Sequence, residues 1–228
     1  MEHINNNLTF NTEAPPLQVL IPACRSVRQP EADYVWLHGY SLLTMRVGIN
    51  AIQLDGEVKI GHRFAENTEL VSSLADALDP AAVIVGVDLT SMVSTLGRLP
   101  IDADDPAPAL AVLSKMRSML EGHEPIDLGI TDQTMNLVYA ERLFIEFTVD
   151  PDQIDPDGNR SDHADVDSCN PRLLAEYLAD EAGACLFSLG QIILTEAQHG
   201  QLATAWRNWR QHLIPSLPPE ETPAETHA

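Results

Sequence analysis

The stretch Ala77 to Pro100, ALDPAAVIVGVDLTSMVSTLGRLP, constrains the fold more than any other part of this chain. Asp79-Pro80 closes a preceding helix, because proline lacks the amide that a helix interior requires. The apolar run Ala82 to Val87 reads as a short strand buried on both faces. Asp88-Leu89-Thr90 opens a second helix, in which Leu89, Met92, Val93 and Leu96 recur at helical spacing and Gly97 with Arg98, Leu99 and Pro100 forms the stop. A strand that feeds directly into a helix is the building unit of α/β sheets. The crevice at the carboxyl end of such a strand is where ligands usually bind, so Asp88 is the first candidate for chemistry.

The segments before and after fit the same class. Residues 1–16 are polar, Asn-rich and end in Pro15-Pro16, as a flexible lead-in does. Leu17 to Ala23 is expected as a short edge strand, since Pro22 cannot donate to a central ladder. Tyr34 to Tyr40, Val47 to Leu54 and Glu57 to Phe64 read as three strands, with Asp55-Gly56 as the two-residue hairpin turn between the last two. Thr68 is expected to cap a helix from Glu69 to Leu78 with Leu70, Val71, Leu74 and Leu78 inward. After Pro100, a helix through Leu110, Leu113, Met116 and Leu120 ends at Gly122, and Ile126 to Ile130 makes a last short strand. Asp132 to about Phe144 reads as an amphipathic helix, and Asp150 to Asp167 as a charged loop. Pro171 opens a long helix that Gly200 ends near His199, and Leu202 to Leu213 forms the final helix with Trp206 and Trp209. The tail, residues 214–228, is disordered by composition. The expectation is one domain over residues 17–213, an α/β sheet of about five strands flanked by helices on both faces, with an extended helical C-terminal part.

Charge narrows the function. Thirteen Lys and Arg against thirty-four Asp and Glu give a net charge of −21, which repels a phosphate backbone over most of the surface. Basic residues survive only locally, at Arg25, Arg28 and Arg46 and at Arg207 and Arg210, so any single-stranded nucleic-acid contact is confined. Cys24, Cys169 and Cys185 are odd in number and lack a CxxC, the usage of a reduced cytoplasmic protein with small core thiols. Neither a membrane-length apolar run nor a signal peptide is expected from the sequence. The nucleophile elbow, P-loop, zinc-protease and dinucleotide-binding motifs are all lacking from the sequence.

Three antiparallel strands, then helix, strand and helix, then more helices, is an order that resembles the RNase H-like exonucleases. AVIVGVDLTSMVSTLGRLP is similar to the second motif of the DEDD 3′-5′ exonuclease superfamily, the relatives of proofreading exonucleases, where a strand ending in Val-Gly-His-Asn leads into a helix bearing an aspartate. LAEYLADEAGACLFSLGQIILTEAQHGQL resembles the helix of the third motif in the tyrosine subclass, with Tyr177 four residues before Glu181 and Asp180 beside it. The resemblance runs from about Tyr34 to Leu213. It implies an RNase H-like mixed sheet and, in an active member, paired Mg²⁺ or Mn²⁺ ions held by carboxylates such as Asp88 and Glu181.

The departures from that pattern decide the expected function. Where the family carries Asp-x-Glu on its first strand, the segment YVWLHGYSLL puts His38 and Tyr40. In the second motif Asp88 replaces the usual Asn, and Met92 stands where the aspartate belongs. Two hard cations need several oxygen ligands to offset their charge, so no resident metal is expected and phosphodiester hydrolysis is lost. The leading expectation is a catalytically inactive exonuclease-like protein that serves as a binding or regulatory module in nucleic-acid processing. Two others stay open: a divergent metal-dependent exonuclease using Asp88, Asp180, Glu181 and Tyr177, which needs a further acid such as Asp55 or Glu57, and an acidic phosphate mimic that inhibits a nucleic-acid-binding protein. Trp206 and Trp209, beside Arg207 and Arg210, suit base stacking. They equally suit anchoring of the last helix or a surface for a protein partner or a second copy. Bland readings stand beside the sharp ones: Asp88 as a helix cap, Asp180 and Glu181 as a solvated helix face, and His38 as a core histidine.

Overall fold

The computed structural model describes residues 14–28, 33–49, 51–61, 67–100, 106–128 and 171–213. The expected helix at Asp132 to Phe144, the charged loop at Asp150 to Asp167, Cys169 and the tail lie outside these residues. Five strands, β1 (Leu17–Arg28), β2 (Asp33–Val47), β3 (Ile52–Ile60), β4 (Val83–Gly86) and β5 (Ile126–Asp127), form one sheet in the order β3-β2-β1-β4-β5. The β1–β2 and β2–β3 pairs are antiparallel; β1–β4 and β4–β5 are parallel. The helices are α1 (Asn67–Ala77), α2 (Leu89–Leu96), α3 (Ala107–Gly122), α4 (Pro171–Ile193) and α5 (Glu196–Leu213). The mixed five-stranded α/β sheet is therefore as expected.

Each face of the sheet has its own core. On one, Leu20, Cys24, Leu42 and Ile84 meet Leu70 and Leu74 of α1, Met92 and Leu96 of α2, and Val112 and Met116 of α3. On the other, Val19, Ile21, Ala23, Leu43 and Val85 meet α4, whose Leu174, Leu178, Ala182, Cys185, Leu186 and Leu189 form one helical stripe. Cys24 and Cys185 are buried free thiols, as their reading as small core residues requires. Among the described residues no helix is long and apolar enough to cross a membrane.

Four local expectations are corrected by tertiary context. The first concerns β1, which is the central strand and not an edge. Its pairing with β4 ends at Val19↔Val85, so Pro22 lies past the end of β4, where β1 is locally an edge and a missing amide is tolerated. Because β1 is the first strand, His38 and Tyr40 belong to the second. His38 is the extra residue of a β-bulge, where Ala23↔Gly39 is followed by Cys24↔Leu37. The insertion reverses the alternation, which is why Val35 and Leu37 face the same core as Tyr40 and Leu42.

The second correction is Asp55-Gly56, which makes no turn. Both residues lie inside β3, opposite Thr44 and Leu43 of β2. Chain reversal occurs earlier, where the Gly48 amide donates to the Ala51 carbonyl over 2.8 Å. Gly56 is there for space: a Cβ would press on the Leu42 carbonyl and approach Leu43 Cδ2 to 2.7 Å. Third, the buried face of α3 is Ala109, Val112, Met116 and Met119, whereas Leu110 is exposed. That face turns toward α1 and β4, the elements on which α3 packs. Fourth, the long helix ends at Ile193, and α5 runs straight through Gly200. Thr195 and Gln198 form part of a capping box that starts α5: the Thr195 amide donates to Gln198 Oε1 (3.0 Å) and the Gln198 amide donates to the Thr195 carbonyl (3.0 Å).

Candidate functional site

The site begins at the adjacent carboxyl ends of β4 and β5, where Gly86 pairs with Asp127. Two residues on, Asp88 turns the chain into α2 with a left-handed backbone, φ 51 and ψ 63. That conformation is uncommon for a residue with a Cβ, and aspartate tolerates it better than most. Asp88 Oδ1 accepts the Ser91 amide at 3.1 Å, a helix N-cap bond. Asp127 then holds the same corner from the next strand: its Oδ1 accepts the Asp88 amide (3.0 Å) and its Oδ2 the Leu89 amide (2.9 Å). Amides at a helix start lack intrahelical partners, and a carboxylate is the best acceptor for them. Asp88 is thus a structural cap. Asp127 escaped the sequence reading because it lies inside the stretch Ile126 to Ile130 read as a strand, and only the pairing of β5 with β4 brings it to the first amides of α2.

The third-motif residues sit on α4, which packs across β1, β2 and β3. Tyr177 is half-buried against the core of that face. Asp180 is exposed and held in a fork by Arg210 of α5, with Nε donating to Oδ1 at 2.9 Å and Nη2 to Oδ2 at 3.0 Å. Glu181 is half-buried; burial first, and then the neighbouring Asp180 carboxylate, push its carboxyl above the ordinary range. One turn further, burial pushes the Cys185 thiol up to about 12, with Glu181 adding to the effect. Cys24, buried in the other core, is likewise pushed up to about 12 by burial.

The aromatic set is an intramolecular anchor. Trp206 covers Gly183 of α4 so closely that a Cβ there would stand 2.7 Å from its Cη2. Trp209 stacks on Trp206 with centroids 5.1 Å apart and donates its Nε1 to the Gly56 carbonyl at 3.2 Å. Phe187 meets Trp206 edge-on at 6.3 Å. Gly183 is therefore the notch that lets α5 lie down on α4, and the Gly56 carbonyl is where Trp209 ties α5 to β3. Arg207 remains exposed on α5, whereas Arg210 is engaged by Asp180.

The other residues singled out in the sequence stand apart from Asp88. The His38 carbonyl accepts the Gly61 amide at 2.9 Å. Tyr40 is fully buried and donates its phenol to Glu57, and burial together with that carboxylate holds the phenol far above its usual range. Glu57 also pairs with Lys59 at 3.2 Å. Asp55 lines a groove beside Asp79, which precedes β4, whereas Asp88 follows it. Among the described residues, no three His, Cys, Asp or Glu side chains converge to hold a metal ion. The donors fit a metal pair poorly: Asp88 and Asp127 accept backbone amides, Asp180 is forked by Arg210, and Glu181 is half-buried. Comparison with models of protein families, with curated proteins and with solved structures finds no match.

Proposed function

We propose that this chain is an RNase H-like, exonuclease-type domain that binds without cleaving, a regulatory or recruiting module in a nucleic-acid-processing system. The strand pairings support it: three antiparallel strands followed by two parallel ones is the architecture that the resemblance implies. One observation carries the loss of catalysis. The residues that β1 presents toward α4 are Val19, Ile21 and Ala23, so the central strand contributes no carboxylate to the helix bearing Tyr177, Asp180 and Glu181. Two divalent ions need several anionic oxygens, and without them a phosphoryl transition state loses several kcal/mol, at about tenfold in rate for each 1.4 kcal/mol. A neutral imidazole or phenol would not replace that charge. Its partner would be a protein, since the net charge of −21 opposes broad nucleic-acid contact and Phe187, Ile192 and Ile193 are exposed on α4.

The test is incubation of the full chain with end-labelled single-stranded DNA and RNA in millimolar Mg²⁺ and Mn²⁺, with calorimetric titration of each metal alongside. No shortening of either strand and no tight metal binding is expected. Progressive 3′ shortening that disappears in Asp88→Ala and Glu181→Ala variants would establish the divergent exonuclease instead. Tight, salt-sensitive capture by a basic nucleic-acid-binding protein, reversed by added oligonucleotide, would establish the phosphate mimic.

A further inference from the structure

The sheet face that carries α1 to α3 is apolar over most of its area, and polar at one end. There Gln18 of β1 lies opposite Thr44 of β2, which lies opposite Asp55 of β3, and Arg46 lies opposite Gln53. All stand on the same side of the three strands. Ala77, at the end of α1, and Asp79 wall the floor into a groove of about 250 Å³. Gln18 joins floor to wall: its Nε2 donates to Thr44 Oγ1 (3.0 Å) and to the Ala77 carbonyl (3.2 Å), and its Oε1 accepts the Asp79 amide (3.0 Å). Gln18 is only 2% exposed, so the groove is shaped by bonds internal to the fold. The groove lies at the opposite end of β4 from Asp88, and nothing in the proposed binding role uses it.

Its charges are separated. Arg46 lines the groove together with Asp55 and Asp79, and among the described residues it forms no ion pair with either acid. The carboxyl end of α1 adds little to these charges, because the Lys115 ammonium already donates to the Ala75 and Leu78 carbonyls there. A lone anion would face two carboxylates, and a lone cation would face a guanidinium. A molecule carrying both signs satisfies each end. At roughly 30 Å³ per water-sized group, the space admits about eight non-hydrogen atoms.

We propose that this groove binds a small zwitterion of amino-acid size, its carboxylate on the Arg46 guanidinium and its ammonium between Asp55 and Asp79. The guanidinium fork matches a carboxylate, and charge-assisted hydrogen bonds are the stronger class. The test uses three probes of one carbon skeleton, 4-aminobutanoate, butanoate and butylamine, each titrated into the full chain at millimolar concentration and followed by amide chemical shifts. 4-Aminobutanoate is expected to move the amides of residues 18, 44, 46, 53 and 55. Each singly charged probe should bind at least about tenfold more weakly, the cost of one lost charged hydrogen bond. Arg46 and Asp55 are exposed, so Arg46→Gln and Asp55→Asn should keep the parent unfolding midpoint and each abolish the shifts. Equal binding of the three probes, shifts confined to other residues, binding that survives both substitutions, or no shift at all would each overturn the assignment.

Discussion

At the scale of single residues, this fold uses its carboxylates in unlike ways. Asp88 and Asp127 terminate backbone amides, Asp180 answers an arginine, and Glu181 is half-buried on a helix that faces a sheet core. Burial, and then the neighbouring Asp180 carboxylate, hold the Glu181 carboxyl above its ordinary value of 4.5. Its folded form therefore binds a proton more readily than the unfolded chain does. Stability falls as pH rises from that ordinary value through the raised one, and the folded state bears the cost at neutral pH. Glu181→Gln is accordingly expected to raise the urea midpoint at pH 7, with the gain vanishing in acid below pH 4.5. A lower midpoint at pH 7 would mean that the carboxylate makes a favourable contact in the folded protein.

At the scale of elements, the join between α4 and α5 shows how a local signal is overruled. A glycine after a helical stretch commonly stops it, yet Gly200 lies within α5, and a Cβ placed there meets nothing within 4 Å. The break comes at Leu194 and Thr195, where the partial capping box supplies a start and Gln198 Nε2 donates to the Gly48 carbonyl in the β2–β3 turn at 3.2 Å. Gly200→Ala is expected to stabilise the protein by about 0.5–1 kcal/mol, through lower backbone entropy in the unfolded chain. Gln198→Ala should destabilise it by about 1 kcal/mol, because it removes the acceptor of the Thr195 amide and the donor to the Gly48 carbonyl. Urea unfolding of the two variants checks both signs; a destabilised Gly200→Ala protein would refute the continuous helix. α4 and α1 were legible from their periodicity, because a helix packed on a flat sheet must carry its apolar residues on one stripe. The face of α3 was legible in part: Met116 is buried and Leu120 packs against the core as expected, but Ala109, Val112 and Met119 complete the buried face and Leu110 is exposed.

At the scale of the whole molecule, charge opposes compactness. The chain has thirty-four acids against thirteen Lys and Arg. Exposed ion pairs such as Arg117–Glu121 contribute little, so screening costs little there and relieves a larger repulsion. The thermal midpoint is expected to rise as NaCl goes from about 10 mM to about 150 mM. A falling midpoint would mean that attractive pairs, and not the net charge, dominate.

The amino-acid order by itself determined the class of this protein: a strand leading into a helix at Asp88, apolar stripes at helical spacing on α1, α2 and α4, and an α/β order of elements follow from patterns that repeat within a few residues. It also determined that no two-acid motif exists on the first strand, whichever stretch is taken for it: YVWLHGY holds His38 and Tyr40, and LQVLIPA holds no acid. What the tertiary structure alone decided are matters of who lies beside whom. β1 is central because β2 and β4 both pair with it, and Pro22 is tolerated because β4 stops short. Gly56 continues a strand because Leu42 and Leu43 leave no room for a Cβ and Trp209 bonds its carbonyl. Asp55, Arg46 and Gln18 meet in one groove although 9 to 37 positions separate them. Periodicity reports which side of an element is apolar; it carries no information about which element arrives there, because that choice is made by long-range packing.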